Sequence, residues 1–367
     1  MEANGVHLSE ESFFQNFWKN LRAYFFLLLV FVRREKMTDN RQWLIEGNPR
    51  GRALLLKDFR EASETLALLG PGEVRVKVEV LSFEPSQKGQ LEVISGYSAG
   101  ATKGEVMGAR GIGEVVESND NQFKAGDKVI GPLGWQEFAT LPGRELQVLP
   151  NDKMLTLYLG PLGAQGLTAY FGLLRIGKPE VGDTVMVSGA AGAVGSVVGQ
   201  IAKINGCRVI GSAGGAEKAR WLNEIGFDGS IDYKSEKVKE RLKDLAPDGI
   251  NVFFDNVGGP VLNDVLVRIA SHARIVICGA ISRYERETLP AGPANYFNVV
   301  FKQAKIEGFL LRGYEAEYEK AIERLKSWVV NGQIIHREDV QRGFENIPST
   351  LKRLFEGANI GKQLLRL

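Results

Sequence analysis

The stretch Val185-Met186-Val187-Ser188-Gly189-Ala190-Ala191-Gly192-Ala193-Val194-Gly195-Ser196 decides how this chain is read. It opens as a short apolar run of the kind that forms a buried parallel strand. Closely spaced glycines follow, then a helical stripe of Val194, Val197, Val198 and Ile201. A dinucleotide-binding βα turn needs this order: a glycine to bend, Gly192 to let backbone approach a pyrophosphate, and Gly195 to let helix pack on strand. The helix N-terminus then offers unpaired N–H groups and a positive dipole end to phosphates. Many strand–turn–helix corners use glycine for turning alone, so context has to decide.

Downstream, strand-like and helix-like segments alternate with the rhythm of successive βαβ units. The first helix runs to Ile204 with Gly206 as a C-terminal cap. Cys207–Ser212 reads as a second strand and Ala216–Ile225 as a helix that Gly226 ends. Gly229–Tyr233 is a third strand, and Glu236–Ala246 a charged amphipathic helix closed by Pro247. Asn251–Val257 and Ala273–Ile281 read as further buried strands, with Pro260–Ser271 as the helix between them. This order predicts an α/β fold with a Rossmann-type doubly wound parallel sheet, whose ligands sit beyond the carboxyl ends of the strands.

Before it, from Met37 to about Leu149, short strands and turns predict a compact β-rich domain. In Glu73–Leu81 the residues Val74, Val76, Val78 and Val80 face one way, and Arg75, Lys77 and Glu79 the other. Gly113–Glu117 and Lys128–Ile130 are further strands. Helical pattern returns at Glu315–Val330, and the tail Gly361–Leu367 ends strand-like, able to return to the first domain.

A chain of 367 residues is long enough for two domains. The net charge of +2 gives no reason to expect nucleic acid or acidic lipid as a partner. Two cysteines, Cys207 and Cys278, both in apolar strand runs, exclude a disulfide framework and suit a reducing, cytoplasmic compartment. The first 36 residues are anomalous: Ala23–Val32 is an apolar run of ten flanked by Lys19, Arg22, Arg33 and Arg34. Ten residues fall short of the roughly 20 that span a bilayer. Glu2, Glu10 and Glu11 spoil a secretory signal. An upstream extension is the favoured reading, over a short interfacial anchor.

At Gly166-Leu167-Thr168-Ala169-Tyr170-Phe171-Gly172, Phe254-Asp255-Asn256-Val257-Gly258-Gly259, Ile277-Cys278-Gly279-Ala280-Ile281-Ser282 and Gly343-Phe344-Glu345-Asn346 the chain becomes specific. With the glycine turn, these resemble the zinc-free medium-chain dehydrogenase/reductases, in the branch of prostaglandin, curcumin and plant alkenal double-bond reductases. The resemblance implies a GroES-like catalytic domain over 37–160 and 332–367, a Rossmann NADPH-binding domain over 161–331, and a homodimer. Zinc relatives use Cys and His ligands, whereas two cysteines and three histidines here have no ligand spacing. His272 and His336 sit in turn or strand-edge contexts with no paired acid, so no metal is expected.

The second strand bears on the cofactor. An NAD enzyme usually places Asp or Glu about 20 residues past the glycines. Here the strand ends Ile210-Gly211-Ser212-Ala213-Gly214-Gly215, with no acid until Glu217, and Lys218 follows. The resemblance gives Lys218 the 2′-phosphate of NADPH, with Tyr233 nearby. It also carries over contacts at Gly192, Ala193, Val194 and Gly195, at Asn256, and at Cys278, Gly279, Ala280 and Ile281. Phe309, Leu310 and Leu311 follow at the nicotinamide pocket, and Asn359 in the tail. For Asn256 an unpaired amide at a strand end points the same way, Asn359 equally suits a turn, and Cys278 reads as a small core residue rather than a nucleophile.

The implied reaction adds hydride to the β-carbon of an α,β-unsaturated ketone or aldehyde. Charge builds on the carbonyl oxygen as an enolate, which needs hydrogen-bond donors and a proton source. Tyr284 matches the family tyrosine near the nicotinamide, and Tyr97 on a Gly/Ser/Ala-rich loop is a second candidate. Two departures touch the substrate side: Glu84-Pro85-Ser86-Gln87-Lys88-Gly89 puts Ser86 where a pocket tyrosine is expected, and Gly163-Ala164-Gln165-Gly166 replaces Gly-Met-Pro-Gly. A quinone reductase and a non-catalytic NADPH-binding protein remain open alternatives.

Overall fold

The structure, a computed structural model, describes residues 39–92, 100, 102–150, 154–288 and 291–367. The extension over 1–36 and the candidate Tyr97 lie outside the described residues.

An antiparallel pair comes first, β1 (Asp39–Ile45) with β2 (Phe59–Thr65). The β-rich part follows with β3 (Glu73–Ser82), helix α1 (Ser86–Leu91), β4 (Gly111–Ser118), β5 (Lys128–Gly131), β6 (Phe138–Pro142) and β7 (Gln147–Val148). The valine alternation of β3 buries Val74, Val76 and Val78 in one cluster with Phe344 and Leu351. Val80 departs from the expected face. A register shift between Val78 and Val80 sends it to the opposite cluster with Ile112 and Leu364, while Leu81 takes over the first. One extra residue in a strand inverts the period-two pattern beyond it.

Helix α2 (Ala164–Phe171) leads into the alternating half: β8 (Thr184–Ser188), α3 (Ala193–Ile204), β9 (Arg208–Ala213), α4 (Ala216–Glu224), β10 (Gly229–Asp232), α5 (Val238–Leu245), β11 (Ile250–Asp255), α6 (Gly259–Leu266) and β12 (Ile269–Ile277). Then come α7 (Asn298–Phe301), β13 (Lys305–Gly308), α8 (Tyr318–Val330), β14 (Glu338–Arg342), α9 (Ile347–Glu356) and β15 (Lys362–Arg366). Six strands form an all-parallel sheet in the order β10-β9-β8-β11-β12-β13. The order reverses between β8 and β11, which opens a crevice beyond their carboxyl ends. Val185, Met186, Val252, Phe253 and Phe254 fill the middle of this sheet and are fully buried.

The fifth strand starts and ends earlier than its sequence predicts. Residues Ile269–Ser271, expected in the helix, begin β12 together with His272, and the strand stops at Ile277. His272, at φ 60°, sits in a bulge that lets Ile269 pair with Ile250 while Arg274 pairs with Val252. Both cysteines therefore lie just outside strands: Cys207 precedes β9, and Cys278 follows β12.

The tail returns to the other sheet. β15 pairs antiparallel with β3 and parallel with β14, giving the order β14-β15-β3-β4-β5-β7, with β6 on β3. On its way it touches the glycine turn: Gly361 N–H donates to Ala191 O at 2.8 Å.

Candidate active site

The glycine turn leaves β8 at Gly189, whose φ of 58° bends the chain where a side chain would strain it. Ala190 N–H donates to Ser212 O at 3.0 Å and Gly192 N–H to Gly189 O at 3.0 Å, fixing the loop. Helix α3 then starts at an extended Gly192 (φ −86°, ψ 174°) with no side-chain cap. Its first-turn N–H groups, at Ala193, Val194 and Gly195, are of the kind no helix can satisfy internally. The two later glycines differ in what surrounds them. A Cβ on Gly195 would lie 2.5 Å from Gly189 O and 2.8 Å from Ala190 Cα. On Gly192 it would meet only Gly189 O, at 3.3 Å. Gly195 is needed for helix-on-strand packing, whereas Gly192 opens onto empty space.

That space is a cleft of about 1040 Å³. Gly192, Ala193, Val194, Gly195, Lys218, Tyr233, Asn256, Cys278, Gly279, Ala280, Ile281, Tyr284, Phe309, Leu310, Leu311 and Asn359 all line it. The expected site residues within the described chain are thus brought to one place.

At the β9 end, Lys218 Nζ donates to Gly357 O at 2.8 Å, bridging α4 to the end of α9. Burial, with Lys234 nearby, holds its pKa below the ordinary lysine value. Asp232, at the end of β10, is committed to its own loop. It accepts from Gly215 N at 2.7 Å, Lys234 N at 3.0 Å and Ser235 Oγ at 2.9 Å. An acid is present at this edge, but turned away from the cleft. Burial pushes the Tyr233 phenol up.

At the switch point, the fully buried Asp255 accepts from Ser188 Oγ at 2.7 Å, Val257 N at 3.0 Å and Gly258 N at 2.9 Å through one carboxylate oxygen. Burial raises its pKa. The loop so fixed carries Asn256, and here the expectation of an unpaired amide is corrected: Nδ2 donates to Ser188 O at 2.7 Å. Asn359 Nδ2 likewise donates locally, to Gly361 O at 3.0 Å, as a turn asparagine does. The Cys278 thiol is pushed up to about 12 by burial and the charge of Asp255, so it stays protonated at neutral pH. Phe309 packs edge-on against Phe254.

Tyr284 stands in the wall with its ring edge-on to Phe355, centroids 6.2 Å apart. Its carbonyl accepts from the Nζ of Lys88, a fully buried lysine on α1 that also reaches Glu92 and Pro49 O. Lys88 thereby ties the Tyr284 loop to the β-rich sheet.

The floor holds a cluster that sequence reasoning missed. Lys362, 1 % exposed, donates to Glu84 Oε1 at 2.7 Å and to Phe83 O at 3.0 Å. Gln165 Nε2 donates to the same carboxylate oxygen at 3.0 Å, as does Ser82 Oγ. Burial pushes the Glu84 carboxyl up, but the Lys362 ammonium and these hydrogen bonds prevail and hold it below its ordinary value. One signal was available: a lysine inside the apolar tail Lys362-Gln363-Leu364-Leu365 is rarely buried without a partner.

This donor set does not suit zinc. Glu84 is already bonded by an ammonium, and no group of three or more His, Cys, Asp or Glu among the described residues could hold a metal. His336 does have an acid beside it, contrary to expectation: its Nε2 lies 3.5 Å from Glu338 Oε1. β14 begins two residues after His336 and turns Glu338 back toward the ring.

Residues 193–327 match a family model described as zinc-binding dehydrogenase, and residues 41–149 one described as the N-terminal domain of oxidoreductase. A putative NADP-dependent oxidoreductase of Bacillus subtilis, YfmJ, is 42 % identical over 318 residues, covering 85 % of this chain and 93 % of that protein. The NADPH-dependent curcumin reductase of Escherichia coli is 37 % identical over 335 residues, or 89 % and 97 % of the two chains. The crystal structure of CurA from Vibrio vulnificus in complex with NADPH superposes with a TM-score of 0.84 at 35 % identity, covering 89 % of this chain and 98 % of that one.

Proposed function

The chain belongs to the zinc-free medium-chain dehydrogenase/reductases, in the branch of the prostaglandin, curcumin and alkenal reductases, and on that premise we propose that it reduces the conjugated C=C bond of α,β-unsaturated ketones and aldehydes. At the coarser level it is an NADPH-dependent oxidoreductase acting on carbon–carbon double bonds. One observation supports the finer reading most: a single cleft joins the glycine turn and Lys218 to a wall bearing Tyr284.

The residues fit the cofactor. Gly192 leaves room for a pyrophosphate, the first-turn N–H groups of α3 face that room, and Lys218 stands where a 2′-phosphate would be met while Asp232 is occupied elsewhere. Asn256, Cys278–Ile281 and Phe309–Leu311 would line the nicotinamide, with Tyr233 and Asn359 at the adenosine side. Bound NADPH supplies the hydride that the β-carbon of the substrate takes up. The protein's part is to donate a hydrogen bond to the substrate oxygen as it gains charge, and then a proton to the α-carbon. The Tyr284 hydroxyl is assigned both tasks, its loop held by Lys88, with Tyr97 as the second candidate. On this reading 37–160 and 332–367 form the catalytic domain and 161–331 the cofactor domain.

Replacing Lys218 by Ala is expected to raise the KM for NADPH by about 10- to 100-fold, the worth of one charge-assisted hydrogen bond. The KM for NADH should move by less than about twofold. Because burial lowers the Lys218 pKa, NADPH binding should weaken with rising pH from a lower value than an ordinary lysine would give. Equal effects on both cofactors would refute the role.

A cytoplasmic homodimer completes the proposal. Among the described residues the last parallel strand, β13, has no neighbour on its outer edge, and Phe297, Val300 and Phe301 beside it are exposed, Phe301 by 71 %. Unpaired edges and clustered apolar side chains favour association. Light scattering should report a dimer for the wild type and a monomer for Phe301→Asp. A monomeric wild type would contradict it. No helix among the described residues is long and apolar enough to cross a membrane.

A further inference from the structure

At the floor of the cleft one positive charge is left over. Arg110 directly precedes β4, and its carbonyl accepts from Ser82 N–H at 2.9 Å, which ties it to the strand end that carries Glu84. Its side chain is exposed into the cleft, whose wall Glu84, Ser86 and Gln165 share. Less exposed arginines elsewhere are matched: Arg75 by Glu117, Arg274 by Asp183, Arg353 by Asp339. Arg110 has no ion pair and no side-chain hydrogen bond among the described residues. Glu84 does not neutralise it, because that carboxylate already serves Lys362, Gln165 and Ser82. The two fixed cations and one anion there leave a net positive charge facing the substrate space.

Partial desolvation beside the cleft wall lowers the Arg110 pKa, and the nearby Glu84 opposes this. A guanidinium exposed to the cleft and left unmatched by the protein is free to meet a ligand there. Its planar fork of N–H donors is shaped for a carboxylate, which it can grip through two parallel bonds. Lys218, the cleft's cation for the cofactor phosphate, lies at the β9 end, beyond the glycine turn.

We infer that Arg110 anchors a carboxylate on the substrate, so that the preferred substrates are enones or enals carrying a carboxylate away from the conjugated carbonyl. The inference rests on the proposed reduction of such double bonds and names the part of the substrate that this chain reads. Ser86, small where the family has tyrosine, leaves the approach to Arg110 open.

The test pairs a medium-chain enone bearing a terminal carboxylate with its methyl ester. With NADPH and wild-type enzyme, kcat/KM should favour the acid by about tenfold or more, carried in KM rather than kcat. Added salt should shrink that preference. Arg110→Gln should bring the ratio to within about twofold of one, and Arg110→Lys should keep part of it. Fluorescence titration of the NADPH-loaded protein with the saturated keto acid and its ester reads the same preference without turnover. A wild-type ratio near one, or a ratio that survives in R110Q, overturns the inference. Equal turnover of acid and ester would sink it while leaving the reductase reading intact. An Arg110-dependent binding preference without turnover of either would uphold it and overturn the reductase reading.

Discussion

Lys362→Met is expected to cost about 3–5 kcal/mol of stability, because it leaves the Glu84 carboxylate at the cleft floor without its cation. Methionine keeps the apolar stem that β15 buries, so the loss isolates the ammonium. The pH dependence gives the sign. Glu84 is held below its ordinary pKa in the folded wild type, so its contribution is present above the unfolded value and is lost as pH falls through the folded one, below about 4. Without Lys362, burial outweighs the hydrogen bonds that Ser82 and Gln165 still donate, and the Glu84 pKa rises. Stability of the variant should then fall as pH rises above about 4, and the gap between the two proteins should widen from acid to neutral pH. Glu84→Gln in the same chain should recover much of the loss, as the partners are in contact. Urea unfolding across pH measures all three. A loss under about 1 kcal/mol at neutral pH would mean the pair is no more than a surface contact.

The second large effect separates two glycines three residues apart. In Gly195→Ala the new Cβ would meet backbone on both near sides, at 2.5 Å and 2.8 Å, so turn and helix must part. A loss of about 1–3 kcal/mol is expected, with weaker cofactor binding as a consequence. In Gly192→Val the backbone is already extended, φ −86° and ψ 174°, where a branched side chain is comfortable. Stability should change by less than about 1 kcal/mol, while NADPH binding falls by more than about 100-fold as the valine fills the pyrophosphate space. Thermal unfolding and fluorescence titration of the two variants provide the comparison. A Gly192→Val protein that binds NADPH like the wild type would place the cofactor elsewhere.

What could be read from sequence was what short-range pattern encodes. The strand into Gly189, the stripe from Val194 to Ile201 and the acid-free end of β9 are each contained in about a dozen residues. The alternation that follows them leads to the parallel order with its crevice. Boundaries failed where the register slipped: the bulge at His272 moved β12, and the one-residue shift beyond Val78 turned Val80 to the other face. The floor was illegible for a different reason. Glu84 and Lys362 stand 278 positions apart, and only the return of β15 to β3 brings them together. The commitment of Asp232 to its own loop and of the Asn256 amide to Ser188 is equally a matter of tertiary placement. An amide at a strand end looks unpaired in sequence because its partner lies on another strand.

The central claim, reduction of a conjugated C=C bond with NADPH, is tested most directly by tracing the transferred hydrogen. NADPH carrying deuterium at C4 is oxidised by the enzyme in the presence of an enone, an enal and a quinone, and the products are assigned by NMR. The account predicts a saturated ketone or aldehyde with deuterium on the β-carbon and the carbonyl retained. Deuterium on the carbonyl carbon of an allylic alcohol, or consumption of NADPH with the quinone alone, would contradict it.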